Sequence, residues 1–156
     1  MMLHFKLVTP ERVVFETDVD EVTLPTTSGE ITILPHHIPL VATLVSGVAR
    51  LKKGKVEEDV AVSGGFIEIN ENSQVNVLAD TAERGFELKF DAIEEAKKRA
   101  EKVMSETSRA DEAAYASAMA GLERELARYR VAHKHRTSSR VPTIDRSDLP
   151  TDENPA

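Results

Sequence analysis

The fold is decided by the stretch Gly29-Glu30-Ile31-Thr32-Ile33-Leu34-Pro35-His36-His37-Ile38-Pro39-Leu40. It joins a turn glycine, a short strand with alternating apolar residues, and a loop that is bounded by two prolines and carries polar groups. Glycine permits positive φ and proline fixes φ near about −65°, so the backbone itself shapes the ends of the loop. The stretch therefore predicts a recognition loop on a β scaffold.

Composition indicates one modest domain with an appendage. The 156 residues are 40% hydrophobic and 30% charged, which is ordinary for a soluble globular protein. A formal net charge of −7 offers no attraction to nucleic acid, so no nucleic-acid partner is expected. The absence of cysteine excludes disulfides and a thiolate nucleophile. No run approaches the ~20 apolar residues of a spanning helix, so we expect membrane association through a partner and no direct insertion.

From Phe5 to Asp80 the apolar residues follow period two or form short runs between turn signals, which is typical of strands. The candidate strands are 5–8, 12–15, 20–24, 31–34, 47–52, 56–62, 65–69 and 73–79. Connections such as Lys53-Gly54-Lys55 are short enough for hairpins. The pattern therefore predicts an antiparallel β-sandwich or flattened barrel.

After Ala82 the period becomes that of helices. Asp91 with Glu94 predicts a capping box for a first helix, and Ser108 with Asp111 marks the start of a second. The apolar stripes are Ile93, Ala96, Ala100 and Val103 on the first helix, then Tyr115, Met119, Leu122, Leu126 and Tyr129 on the second. A short link between the helices predicts an antiparallel helical hairpin, so the fold class is α+β.

Three segments result from this pattern. We expect a β-sandwich over residues 1–85, a helical hairpin over 86–135, and a disordered tail over 136–156 that has too few apolar groups to offset the entropy of ordering. The chain opens without an apolar signal region, which favours a bacterial cytoplasmic setting.

No local pattern indicates catalysis. Glu30, His36 and His37 lie close together, but adjacent residues on an extended chain point to opposite sides, so a shared metal is not expected. Ser63-Gly64-Gly65 is followed by a strand instead of the lysine and helix of a phosphate loop, and is interpreted as a bend or bulge where two backbones approach. Asp80 and Thr81 are expected to hydrogen-bond the turn into the helices. We expect no cofactor, no metal and no catalytic residue.

The loop stretch, followed by Val62-Ser63-Gly64-Gly65-Phe66 and by Val77-Leu78-Ala79-Asp80-Thr81-Ala82 before a helical tail, resembles the epsilon subunit of the F-type ATP synthase. The resemblance covers roughly residues 3–133. It implies a non-catalytic rotor subunit of the central stalk, which binds the gamma subunit and sits on the c-ring. It also implies a peripheral location at the cytoplasmic face of the bacterial inner membrane.

The resemblance further implies roles for particular residues. Gly29, Glu30 and His37 match the positions of the family's c-ring contact. The helical hairpin would restrain ATP hydrolysis by extending toward the alpha/beta head and presenting a basic face. This basic face consists of Arg124, Arg128, Arg130 and Lys134.

Some members of the family bind ATP in the folded hairpin through an Ile/Leu-Asp-x-x-Arg-Ala motif. A gap-free match places Lys89 at the motif's Asp position and Ala92 at its Arg position. Moving the frame to Asp91 places Glu94 at the Arg position, which would repel phosphate. We therefore expect no nucleotide binding by this motif.

Two other classes of function stay open on the sequence alone. The first is a ligand-binding β-sandwich with a helical interaction tail, which an aromatic content of 4% without tryptophan disfavours. The second is an enzyme of cupin type, whose histidine and glutamate signature is missing from this chain.

Overall fold

Eight strands form the N-terminal part of the protein, whose computed structural model describes residues 1–137, 143 and 144. The strands are β1 (Leu3–Val8), β2 (Val13–Val19), β3 (Glu21–Thr26), β4 (Gly29–Ile33), β5 (Leu40–Leu44), β6 (Gly47–Lys53), β7 (Val56–Ile69) and β8 (Gln74–Arg84). Their pairing order is β2-β1-β8-β7-β5-β3-β4, and β6 pairs with β3 and β7.

The predicted sandwich is confirmed, with one difference in strand direction. β1 and β8 run parallel, with Phe5 opposite Val75, whereas the other pairings are antiparallel. Hairpin-length connections set the direction of strands that follow one another. They do not determine how the first strand meets the last, which are separated by about seventy residues of chain.

Alternation along the strands builds the core. On β1, Leu3, Phe5 and Leu7 are fully buried while His4 and Lys6 between them are half-buried. The other strands contribute Val22, Leu24, Leu51, Val60, Val62, Ile67, Val75 and Val77 to the same cluster. Side chains that alternate in this way place one face of each strand in the interior.

Two of the predicted strands are a single strand. β7 pairs with β6 from Val56 to Val62 and with β5 from Gly65 to Ile69. At Gly65 φ is +156°, and a Cβ there would lie 1.8 Å from the Leu78 carbonyl oxygen. The predicted close approach of two backbones is confirmed, and it is why the position requires glycine.

The expected role of Asp80 and Thr81 in the turn is wrong. Both residues lie inside β8, which continues to Arg84, and the Thr81 hydroxyl lies 2.5 Å from the hydroxyl of Ser63 on β7. The contact between the Ser63 and Thr81 hydroxyls therefore joins β7 and β8 next to the bend at Gly65.

Two helices follow a 3₁₀ turn at Gly85–Glu87, namely α1 (Phe90–Glu106) and α2 (Glu112–Thr137). The predicted hairpin is confirmed, since α1 packs on α2, and the second half of α2 packs on β6 and β7. The predicted capping box at Asp91 is wrong, because α1 begins at Phe90 after Lys89, which makes no side-chain cap. The start signal at Asp111 is confirmed: its Oδ1 accepts from the Ala114 N–H at 3.1 Å.

The tail expected to be disordered over 136–156 lies largely outside the described residues. Arg136 and Thr137 belong to α2, which therefore runs past the expected end of the hairpin at 135. Ile144, which lies within that tail, is 2% exposed and part of the core cluster. The average composition of a segment does not reveal that one apolar side chain within it is buried.

Candidate functional site

The predicted contact loop begins in the β3–β4 hairpin and ends beyond β4. At the first end, the Thr26 hydroxyl donates to the Gly29 carbonyl at 2.6 Å, and Glu30 follows with an exposed side chain. At the other end, the His37 N–H donates to the Leu34 carbonyl at 3.1 Å. Three residues of strand, about 10 Å, separate Glu30 from the end of β4. The structure therefore places Glu30 and His37 at opposite ends of this strand.

The turn after β4 is held by a histidine in an unusual conformation. His36 has φ of +67°, and its backbone N–H donates to the Ser73 hydroxyl at 3.0 Å. Side chains other than glycine and asparagine adopt this region rarely, so the bond to buried Ser73 fixes the turn. Beside it, Leu34 and Ile38 are 52% and 74% exposed.

Glu30 lies close to Arg130 and Lys134, two residues of the predicted basic face. A polar cavity of about 230 Å³ is lined by Glu30, Arg50, Asp59, Arg130 and Lys134, among others. The structure thus brings one predicted c-ring residue together with two residues of the predicted regulatory helix. Three cations, Arg50, Arg130 and Lys134, face two carboxylates, Glu30 and Asp59, so the formal net charge of the lining is only +1.

Lys134 joins the last turns of α2 to β7. Its Nζ lies 2.9 Å from Asp59 Oδ2 and 3.6 Å from Glu57 Oε1. Asp59 also accepts from Arg50 Nε at 3.2 Å, and its own side chain is only 10% exposed. Burial of the Arg50 guanidinium works to lower its pKa, but Asp59 and Glu57 outweigh this and raise the pKa above its ordinary value.

Arg128 makes a second bridge from α2 to the sandwich. Its Nη2 donates to Glu83 Oε2 on β8 at 2.8 Å, and its Nη1 donates to both carboxylate oxygens of Glu125 at 3.0 and 3.1 Å. Burial acts to lower the pKa of Arg128, yet the two glutamates raise it overall. Arg128 therefore stays charged and holds two carboxylates that would otherwise repel each other.

The predicted basic face is divided in two by these contacts. Arg128 and Lys134 bond to carboxylates of the sandwich, whereas Arg130 and Arg124 have exposed side chains. Arg124 is 3.8 Å from Glu125 on its own helix.

Sequence reasoning missed the acidic partners, Glu57, Asp59 and Glu83. Glu57 and Asp59 are two residues apart on β7, which puts both carboxylates on one face of the strand. Glu83 joins them because it neighbours Ala61 across the β7–β8 pair, and Ala61 is on the same face. A run of acidic residues at spacing two was the available signal, but it does not say which basic residues lie opposite.

A groove of about 510 Å³ opens between the two helices. Small side chains line it, including Ala96, Ala100, Ala118 and Gly121, and the cations of Arg99 and Arg124 reach its edges. Helices that meet through single methyl groups gain only ~0.8 kcal/mol per group.

The outer part of the hairpin is largely exposed. Val103 is 53% exposed and Met119 is 39% exposed, so these ends of the predicted stripes contribute little to packing. The helices are better fixed near the sandwich, where the Tyr129 ring lies 5.6 Å from that of Phe90 and stacks on His133 at 5.8 Å.

An exposed apolar patch lies where β5, β7 and β8 pair, away from the part of the sheet on which α2 packs. Phe66 on β7 and Leu78 on β8 are direct cross-strand neighbours, and Val41 on β5 lies on the same face. Their exposures are 62%, 58% and 73%. Large apolar side chains grouped on a surface mark contact sites for other proteins.

Within the described part of the chain, no group of three or more His, Cys, Asp or Glu residues is arranged to hold a metal ion. Among the same residues no helix is both long and apolar enough to span a membrane.

These features define a class of protein: a β-sandwich with an exposed apolar face, carrying a helical hairpin that is docked through ion pairs. The family described as ATP synthase, Delta/Epsilon chain, beta-sandwich domain matches residues 2–85. The chain belongs to this family.

Curated relatives named ATP synthase epsilon chain agree with the family match. That of Halalkalibacterium halodurans is 50% identical over 100 residues, which cover 64% of this chain and 74% of the relative. That of Dehalococcoides mccartyi strain BAV1 is 42% identical over 139 residues, covering 89% of this chain and 98% of the relative.

Two solved structures share the fold. A chain from the Euglena gracilis mitochondrial ATP synthase, OSCP/F1/c-ring, superposes with a TM-score of 0.71 at 21% identity, covering 86% of this chain and 82% of that chain. A chain from the Tetrahymena thermophila mitochondrial ATP synthase central stalk and c-ring gives a TM-score of 0.55 at 10% identity, with 83% and 96% covered.

Proposed function

We propose that this protein is a non-catalytic rotor subunit in the central stalk of a bacterial F-type ATP synthase, peripheral to the cytoplasmic face of the membrane. It helps to transmit rotation between the c-ring and the catalytic head. The observation that carries the proposal is the exposed apolar patch of Val41, Phe66 and Leu78 on a sandwich of this family.

The patch is the proposed contact for the gamma subunit. It lies on the β5 side of β7 and on β8, whereas α2 packs near the part of β7 that pairs with β6. A stalk protein can therefore cover the patch without displacing the helices. Burial of these three side chains would contribute roughly 1.5–3 kcal/mol each.

The c-ring contact is proposed at Gly29, Glu30 and His37. Exposed Leu34 and Ile38 flank His37 and add apolar area to its end of β4. At the other end Glu30 lines the same cavity as Arg130 and Lys134, so movement of α2 would change the surroundings of this carboxylate.

The helical hairpin is the proposed brake on ATP hydrolysis. In the docked state described here, carboxylates of the sandwich neutralise Arg128 and Lys134. Release of the hairpin would free them, together with Arg124 and Arg130, to meet an acidic segment of the alpha/beta head. The same basic residues thus serve docking in one state and inhibition in the other.

Affinity purification of the tagged full-length chain from its host tests the assignment. Recovery of gamma, alpha, beta and c subunits is expected. A matched variant with Phe66→Glu and Leu78→Glu places two charges on the patch and should lose gamma while keeping its fold, because both side chains are exposed. Capture of gamma by this variant as efficient as by the unaltered chain would remove the patch from the gamma contact.

A further inference from the structure

A buried ion pair joins Glu58 on β7 to Arg84, the last residue of β8. Arg84 Nε and Nη2 donate to the two carboxylate oxygens of Glu58 at 2.7 and 2.9 Å. Glu58 is 2% exposed and Arg84 is 4% exposed, and the guanidinium lies 3.9 Å from the centre of the Phe15 ring. Charges removed from water to this degree need every hydrogen-bonding position filled.

Ile144, beyond the end of α2, adds one hydrogen bond to each member of the ion pair. Its backbone N–H donates to Glu58 Oε2 at 2.7 Å, and its carbonyl accepts from Arg84 Nη2 at 2.8 Å. Its side chain is 2% exposed and belongs to the sandwich core. The ion pair thus holds Ile144 by both of its backbone groups, while its side chain packs in the core.

Chain length makes this contact incompatible with full release of α2. Six residues lie between Thr137, the last residue of α2, and Ile144, and the chain from one to the other spans at most about 25 Å. α2 has 26 residues and is therefore about 39 Å long. If the hairpin swings away from the sandwich and extends, the end of α2 travels farther than this tether allows, and Ile144 has to leave its site.

We propose that Glu58 and Arg84 form a binding slot for the backbone of a residue with an apolar side chain, and that its occupant is this chain's own Ile144. The seated residue is a latch that holds the hairpin docked. Its consequence for the enzyme rests on the proposed function of the hairpin as a brake, but the binding itself does not.

Hydrogen exchange of the isolated full-length chain tests the latch. Ile144→Asp places an unpaired carboxylate in the apolar core and should expel residue 144 from its site, so amides of α2 near Ala127 and Val131 should exchange at least about tenfold faster. Ile144→Val is the matched control, because it keeps the backbone contacts and most of the apolar side chain. Amides at Leu51 and Val60 report whether the sandwich stays folded.

A second measurement tests the slot directly. A chain ending at Thr137 should show the same faster exchange in α2, and a synthetic peptide of residues 141–147 added in excess should slow it again. The same peptide with Ile144→Asp should have no effect. Unchanged α2 exchange in both Ile144→Asp and the shortened chain, with the sandwich amides still protected, would overturn the latch.

The latch and the brake fail in distinguishable ways. If the latch is correct and the brake is not, exchange in α2 rises in Ile144→Asp while ATP hydrolysis by the assembled enzyme stays the same. If both are correct, the same variant shows faster exchange and slower ATP hydrolysis.

Discussion

Removing the sandwich carboxylates that hold α2 should deepen inhibition instead of relieving it. The perturbation is the double substitution Asp59→Asn and Glu83→Gln, which removes the nearer carboxylate partner of Lys134 and the sandwich partner of Arg128 without altering the basic face. Both new side chains match the originals in shape. The docked hairpin loses two ion pairs, while the released hairpin keeps every residue that we propose meets the alpha/beta head.

The magnitude follows from the exposure of each pair. Lys134 is 45% exposed, so its pair with Asp59 is partly screened by water. Arg128 and Glu83 are 26% and 25% exposed and 2.8 Å apart. Partly exposed pairs contribute up to about 1 kcal/mol each, so the double substitution should cost docking ~1–2 kcal/mol. That corresponds to a five- to thirty-fold shift toward the released state.

Two assays follow the shift. Because the chain has no cysteine, fluorophores can be attached at Ser108→Cys in the helical link and Lys55→Cys between β6 and β7, both exposed. Energy transfer between them should fall in the double variant of the isolated chain. ATP hydrolysis by the assembled enzyme should fall as well.

The control and the opposite variant complete the test. Glu95→Gln makes the same change of charge but removes only a pair with Arg99 within α1, so it should leave both readouts unchanged. Arg124→Ala with Arg130→Ala alters the exposed half of the basic face and should raise hydrolysis. If the hairpin is released in the carboxylate variant and hydrolysis still rises or stays the same, docking and inhibition are not alternative states.

Glu30→Ala with His37→Ala should leave the isolated sandwich folded and reduce the coupling of proton flow to ATP synthesis, measured in membrane vesicles; unchanged coupling and unchanged crosslinking to the c-ring would remove the loop from that contact. A chain ending after Glu87, where the 3₁₀ turn ends, should still assemble, and its enzyme should hydrolyse ATP at least as fast as the full-length form; loss of assembly would make the hairpin part of the structural core. Calorimetry with millimolar ATP should show no saturable binding, and binding that is lost in Arg99→Ala would instead reveal a nucleotide site in the groove between the helices.

The sandwich was predictable because many of its apolar residues alternate with polar ones along the chain. β1 shows this best, with three fully buried residues at spacing two. β5 (Leu40–Leu44) was missed because Val41, between Leu40 and Ala42, is apolar although it is 73% exposed. An exposed apolar residue in a short strand removes the alternation that identifies one.

The sequence predicted helix α2, but it did not predict that one side of the helix packs on α1 and another side packs on the sandwich. Leu122 and Leu126 of its predicted stripe are half-buried, while Ala127, Val131 and Ala132 are buried on another side of the helix. A residue pattern with two contact faces has no single apolar direction, so periodicity finds only the larger side chains. A local sequence pattern could not identify the carboxylates that pair with the basic face. Arg128 and Glu83 are 45 residues apart, and Lys134 and Asp59 are 75 residues apart.

The distribution of contacts along the hairpin implies an order of release. Its outer turn is exposed, its middle meets through alanine methyls around an open groove, and its base is fixed by Arg128, Lys134 and the buried site of Ile144. Ion pairs at the base weaken as salt screens them, whereas a buried side chain does not respond to salt in this way. Raising the salt concentration should therefore loosen α2 from β7 while Ile144 stays seated. In this arrangement the ion pairs set how readily the hairpin loosens, and Ile144 determines whether it can leave.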